Sequence, residues 1–311
     1  MNTESNVLRE SALDSERAAV ASLSQTRPFY WSARRELWEN RWILIGQLAV
    51  ALVFLVGFLF NMARWLDNMR NLSITDPAKY WEMVSEPYNI GAGALMGTLI
   101  LMSIFYCSDT LYGERRDRSI LFWKSLPVSD VTTVLAKASI PLVILPLLTF
   151  GITIVVHLIM LLLSSIVLPL SGMSVASLWR ELAIFPMWGM LFYHILLAHV
   201  LWPFPVYCWL ILVSGWARRA PLLWAALPVV VIGGLEKLIF HTSHFAAMVG
   251  TRLIGSGAPT DITSGAMFPT GPMTHLTPLR YLGSPSLWAG FGVAALLLSA
   301  AVRMRRYRDP V

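Results

Sequence analysis

Residues 42–61 read WILIGQLAVALVFLVGFLFN, without a single charged side chain. About 20 predominantly apolar residues are needed for a helix to cross the hydrocarbon core, where backbone N–H and C=O groups must find partners inside the segment because no water is present. The stretch therefore reads as a membrane-spanning helix. Comparable runs follow at about 90–107, 139–163, 184–213, 222–240 and 287–302. The fourth is long enough that Pro203 and Pro205 are expected to kink or end it. The expected fold class is all-α, a polytopic membrane protein with six transmembrane helices.

Composition points the same way. Of 311 residues, 56% are hydrophobic and 14% charged, against a charged share of about 25% in soluble domains. Both a disordered chain and an ordinary soluble fold are excluded. The net charge of +6 comes from 24 basic and 18 acidic residues. In so apolar a chain that excess marks loops on one side of a membrane, and no nucleic-acid partner is expected. The two cysteines, Cys107 and Cys208, sit in or at the end of apolar runs, so neither a disulfide framework nor a cysteine metal cluster is expected.

Basic residues near span ends resist translocation, so their distribution sets sidedness. Seventeen of the 24 fall in the N-terminal segment, in the loops after spans two and four, and in the tail. The other seven are Arg64, Arg70, Lys79, Arg180, Lys237, Arg252 and Arg280. Both termini are thus expected in the cytoplasm. Residues 1–26, with Glu4, Glu10, Asp14 and Glu16, lack the basic start and apolar core of a cleaved leader. They read as a polar cytoplasmic N-terminus, 27–302 as the transmembrane domain and 303–311 as a basic cytoplasmic tail. Outside, 62–89 is expected to be a loop with Trp65 and Trp81 at the interface, and 164–183 a short one. Residues 241–286, rich in glycine and with prolines at 259, 269, 272, 278 and 285, are expected to form a structured loop of short helical pieces.

Two segments carry recognition chemistry. Residues 27–42, RPFYWSARRELWENRW, read as an interfacial helix. Tyr30, Trp31 and Trp38 make an aromatic face, Arg34 and Arg35 contact anionic phosphates or an adjoining subunit, and Ser32, Glu36, Glu39 and Asn40 face elsewhere. The plainer alternative is a basic flank to the first span. Residues 114–130, ERRDRSILFWKSLPVSD, lie in the loop after the second span. Ser119, Ile120, Leu121, Phe122, Trp123 and Leu126 read as a short amphipathic helix stopped by Pro127, with Ser129 or Asp130 capping the next helix. Its apolar face fits a groove on another protein or, in the alternative reading, lies on the membrane surface.

The order Glu114-Arg115, a small residue at Ser119 before Ile120-Leu121, then Leu126-Pro127-x-Ser129 and Leu135 with Lys137 resembles the loop between spans two and three of type-2 ABC transporter permeases. The resemblance extends to the amphipathic helix before span one, the six spans, the short link after span four and the long outer loop before span six. It departs at Ser119, where the family often has glycine, and in the long first outer loop. It implies a coupling helix over Glu114, Arg115, Arg116, Ser119, Ile120, Leu121, Phe122, Trp123, Leu126 and Pro127 that docks on a separate ATP-binding subunit. It further implies a bacterial inner-membrane location and two permease subunits, the second expected to be another copy of this chain, served by two copies of the ATPase.

This chain has no phosphate loop of its own. Its four lysines follow Ala78, Trp123, Ala136 and Glu236, so no Gly-Lys pair exists. It is expected to bind no cofactor and to be no enzyme, with ATP and Mg used by the partner subunit. Gly93 and Gly97, four apart in the second span, are candidates for close helix packing, within the subunit or across a dimer. His157, His194 and His199 within spans read as packing groups or transport groups, while Glu236 and Lys237 read as interface anchors. His241, His244 and His275 are a weak metal pattern. There is neither a ladder of carboxylates for ion coupling nor a Gly-x-Ser-x-Gly or His-Glu-x-x-His motif. The expected function is an ATP-driven exporter subunit for an amphipathic cargo. A membrane scaffold or sensor and an ion-coupled carrier are the alternatives.

Overall fold

The computed structural model describes residues 28–72, 77–125, 128–170, 172, 174–182, 184–254 and 281–307. Every regular element among them is helical. Six helices are long and apolar enough to cross a membrane: Trp42–Met69, Met83–Arg116, Asp130–Leu170, Ile184–Leu201, Pro221–Phe240 and Pro285–Tyr307. Five of the expected spans fall on these helices, and the fourth, 184–213, is divided between Ile184–Leu201 and a shorter apolar helix, Phe204–Trp216.

The largest departure is the first outer loop. Residues 62–89 are mostly helix, because α2 runs over Trp42–Leu72 and α3 over Pro77–Arg116. At 1.5 Å per residue they are about 46 and 60 Å long, well beyond the roughly 30 Å of hydrocarbon. Hydropathy locates only the part of a helix that lies in lipid. Nothing between 62 and 72 breaks the helix, and Pro77 opens the next one where its missing N–H does no harm. Phe58, Met62, Trp65 and Met69 of α2 pack with Val84 and Tyr88 of α3. Trp65, expected at the interface, is instead buried in this contact. The side chain of Trp81 lies outside the described residues.

The third span is one continuous run. α5, Asp130–Ser139, passes through a π-helical turn at Ile140–Ile144 into α6, Leu145–Leu170. The turn lies where Pro141 and Pro146 interrupt the ladder of backbone bonds. α7, Val175–Glu181, follows. The fourth span breaks where the sequence placed its prolines. α8, Ile184–His194, and a π-helical turn, Ile195–Leu201, end at Trp202–Pro203, and α9 covers Phe204–Trp216. α10, Pro221–Phe240, and α12, Pro285–Tyr307, complete the bundle, with α9 packed along both α3 and α12. Within 241–286 the described part is α11, His244–Ile254. It folds back on α10, its Ala246 Cβ standing 3.2 Å from where a Cβ on Gly233 would be. Residues 255–280, including His275, lie outside the described residues.

Prolines inside helices leave a carbonyl unpaired four residues earlier, a costly omission where water does not reach. At two of them a side chain answers it. Pro87 frees the Met83 carbonyl, which accepts from Trp65 Nε1 at 3.2 Å. Pro203 frees the His199 carbonyl, which accepts from the buried Tyr207 hydroxyl at 3.2 Å. Close helix approach is found at Gly46 and Gly91, where a Cβ would lie 2.0 Å from Met102 Cε and 2.6 Å from Phe54 Cε1. Gly93 is buried, but a Cβ on Gly97 would meet nothing within 4 Å. The four-residue glycine pair is thus not a tight contact within the subunit at both its members.

Replacing Trp65 by Phe strands the Met83 carbonyl and should destabilise the protein by about 1–3 kcal/mol. The same change in a Pro87→Ala background should cost less, since the restored N–H can pair with that carbonyl. Thermal unfolding of the four proteins in detergent checks this, and equal losses in both backgrounds refute it.

Candidate functional site

One end of the bundle gathers α1, Pro28–Glu39, the turn after α3, the six-residue helix α4, Ile120–Ser125, the start of α5 and the last turn of α12. It also carries the exposed Arg34, Arg41, Arg116, Lys124, Arg218, Arg219, Arg303 and Arg306, and is called here the basic end. Glu36 lies on the inner face of α1 and is buried. Its Oε1 accepts from Lys137 Nζ at 2.8 Å and from Arg35 Nη2 at 2.8 Å, and its Oε2 accepts from the Tyr106 hydroxyl at 3.0 Å. Glu114, at the end of α3, faces the same lysine at 3.2 Å, Arg35 at 3.2 Å and Arg305 of α12 at 3.5 Å. Arg305 also pairs with Asp130 in the first turn of α5.

Three cations and three carboxylates therefore neutralise one another, each member from a helix that the others do not share except Arg35 with Glu36 and Lys137 with Asp130. An unpaired charge in such a place would be unstable, whereas charges paired from several sides are tolerated; both oxygens of Glu36 are answered, while the Nε atoms of Arg35 and Arg305 find no hydrogen-bond partner among the described residues. Burial pushes the Glu36 carboxyl up. The opposing attraction and hydrogen bonds of Lys137 and Arg35 outweigh burial and hold it below the ordinary carboxylate range. A depressed folded-state value stabilises the fold above the unfolded-state pKa, and that stability is lost as pH falls through the folded-state value.

The turn itself is built on Arg118, which takes a left-handed backbone at φ 57° between α3 and α4. Ser119 Oγ donates to the Glu114 carbonyl at 3.4 Å, closing the turn. α4 then divides its side chains. Ile120 is buried, and Trp123 lies under the Arg35 guanidinium, 3.7 Å from ring centroid to Cζ. Leu121 and Phe122 stand out at 61% and 60% exposure. Phe122 also packs edge-on to Trp123, with centroids 4.8 Å apart. Ser129 caps α5, its Oγ accepting from Thr132 N at 3.1 Å.

The residues between Glu114 and Trp123 thus have unlike roles. Glu114 is an internal anchor, and so is Arg115, which donates to the Ser214 and Ala217 carbonyls at 2.9 and 2.5 Å where α9 ends. Neither presents its charge to a partner surface, contrary to a reading of the whole motif as one docking face; burial inside a helix junction is the reason. Arg116 is exposed and pairs with Asp117 at 2.9 Å. Leu126 and Pro127 lie outside the described residues. In α1, Tyr30, Trp31 and Trp38 are exposed as expected, while Arg35 turns inward to the ionic cluster and Glu36, expected to face away, is its centre.

Sequence reasoning missed Glu36, Lys137, Arg305 and Asp130 as one group. The available signal was the cost of a charge at the margin of an apolar run: Lys137 stands just before span three and Arg305 just after span six. Elsewhere, His157 is held by the Tyr88 carbonyl at 3.0 Å and accepts from Trp188 Nε1 at 3.2 Å, a packing role. His194 and His199 lie ring against ring, 5.3 Å apart. Glu236 accepts from the His244 and Phe245 amides at 2.7 and 2.8 Å and so caps α11. No group of three metal-ligating side chains occurs among the described residues.

The fold defines a multi-pass α-helical membrane protein with a polar junction at one end. No family model matches the chain, and neither the curated proteins nor the solved structures yield a match.

Breaking the buried pair by Lys137→Met alone should cost about 3–5 kcal/mol, and pairing it with Glu36→Gln should recover part of that loss. Glu36→Gln should also flatten the fall in stability on acidification below the ordinary carboxylate range. Thermal midpoints across pH check both; a wild-type acid profile in Glu36→Gln contradicts the second.

Proposed function

We propose that this chain is the membrane-spanning permease subunit of an ATP-driven exporter of the ABC-2 type. The observation that carries the reading is the division of α4, which exposes Leu121 and Phe122 while Ile120 and Trp123 are fixed to the bundle. Such a helix offers an apolar contact to a cytoplasmic subunit and has a stiff footing behind it. The loop order shared with that family supports the same reading, as does the absence of a Gly-Lys phosphate loop from the sequence. On this reading the basic end is cytoplasmic and the membrane is the bacterial inner membrane. Two copies of the chain form the path and two ATP-binding subunits supply ATP hydrolysis with Mg.

The side chains define what such docking would move. Force on α4 reaches α1 through the Trp123–Arg35 stack. It reaches α3, α5 and α12 through Glu114, Lys137 and Arg305. Three spans and the N-terminal helix then tilt together as a rigid-body change, because the cluster has low tolerance for separating its charges. An amphipathic cargo suits spans that carry no ladder of carboxylates and whose polar groups are few, such as Gln47, whose Nε2 donates to Thr149 Oγ1 at 3.0 Å.

Leu121→Asp with Phe122→Asp should abolish co-purification with the ATP-binding subunit that this reading requires, and ATP-dependent transport in vesicles holding both, leaving the thermal midpoint within a few degrees of wild type. Arg219→Gln, at an exposed arginine elsewhere at the basic end, should leave both intact. Undiminished ATPase binding by the double variant overturns the docking role.

A further inference from the structure

The outer face of α1 is aromatic and apolar around one arginine. Tyr30, Trp31, Arg34, Leu37 and Trp38 are all exposed, and they follow one another at the three- and four-residue steps that align side chains along one stripe of a helix. Arg41, Trp42 and Ile45 continue that stripe across a two-residue turn into the first span. There it merges with Leu48, Leu52, Val53 and Phe60, exposed residues of a spanning helix that lipid chains must cover. The stripe thus passes without interruption from a surface requiring acyl chains to a surface of tryptophan and arginine.

Arg34 is the polar centre of that second part. Its Cζ lies 5.3 Å from the Trp31 ring centroid and 4.8 Å from that of Trp38. Two rings flank the guanidinium and restrict its direction. Among the described residues no carboxylate pairs with it. The neighbouring Arg35 turns the other way into the ionic cluster, so the two consecutive arginines have opposite tasks. A planar cation with several donors, held between amphipathic rings at the end of a lipid-covered stripe, complements a phosphodiester oxygen at headgroup depth.

We propose that Arg34, between Trp31 and Trp38, binds the headgroup phosphate of an anionic phospholipid in the leaflet at the basic end, with the outer face of α1 as its seat. A zwitterionic lipid has the same phosphate but a cation beside it, which Arg34 repels, so the site selects for net negative charge. The assignment does not depend on ATP-driven transport and stands or falls by itself.

Native mass spectrometry of the purified full chain, exchanged into mixed micelles of phosphatidylglycerol and phosphatidylcholine, tests it. Wild type should retain phosphatidylglycerol preferentially. Arg34→Gln should lower that preference about five-fold, the factor for one basic residue at an anionic surface. Arg34→Lys should keep part of it, and Arg303→Gln, an exposed arginine elsewhere at the basic end, should leave it unchanged. Thermal midpoints of all four proteins exclude loss through unfolding. Equal retention by Arg34→Gln and wild type overturns the assignment, as does an equal loss in Arg303→Gln, which would mean a diffuse charge effect. A change in subunit number without a change in lipid retention would make the face a contact between copies, and also overturns it.

Discussion

Glu36 held against Lys137 is the constraint on which the rest of this structure turns. A carboxylate and an ammonium removed from water attract strongly, but the loss of hydration is of comparable size, so the pair is tolerable only where further partners surround it. Tyr106 answers the second oxygen of Glu36, and Glu114 joins Lys137 to Arg305. The consequence is positional. Helix α1 has one place where its carboxylate is satisfied, and that place is defined jointly by α3, α5 and α12. An apolar junction would tolerate sliding, since lipid and leucine are nearly equivalent partners in a membrane. The charges make the junction specific, and α4 inherits its orientation from them through Arg35.

A second theme is the repair of proline's omissions between packed helices, where water does not reach. Tryptophan and tyrosine act as donors on long arms: Trp65 reaches the Met83 carbonyl and Tyr207 that of His199. Each donor thereby also binds its own helix to a particular level of the neighbouring one. At the opposite end from the cluster, Arg252 does comparable work. It stacks 4.0 Å from the Trp202 ring centroid and donates to the Ser286 carbonyl at 2.5 Å, so that α11, the break after α8 and the start of α12 are joined at one residue.

The spans were legible because the membrane imposes length and apolarity on each helix separately, and 42–61 needs no partner to be read. The break at Pro203 was legible for a similar reason, being local chemistry. The helical continuation of α2 and α3 was hidden because hydropathy measures surroundings and not backbone conformation: the polar residues after 61 leave lipid without leaving the helix. The site was legible in its motif and hidden in its geometry. The pattern at 114–130 marks where a short amphipathic helix lies, yet which of its side chains turn inward depends on Arg35, some 80 residues earlier. Likewise nothing near Glu36 in sequence announces Lys137. Pairing across three helices is a tertiary fact, and a helical wheel of α1 alone puts Glu36 with the solvent-facing polar residues.

The position of Arg305 has a consequence for biogenesis. Chains emerge N-terminus first, and Glu36, Glu114, Asp130 and Lys137 are all made before the latter half of the protein exists. With Arg35 included, that early set carries three carboxylates against two cations, an excess of one acid that stands until Arg305 of α12 joins it. Helix α12 therefore acts as a keystone, and a molecule cut short ahead of it leaves Glu114 and Asp130 without their shared arginine.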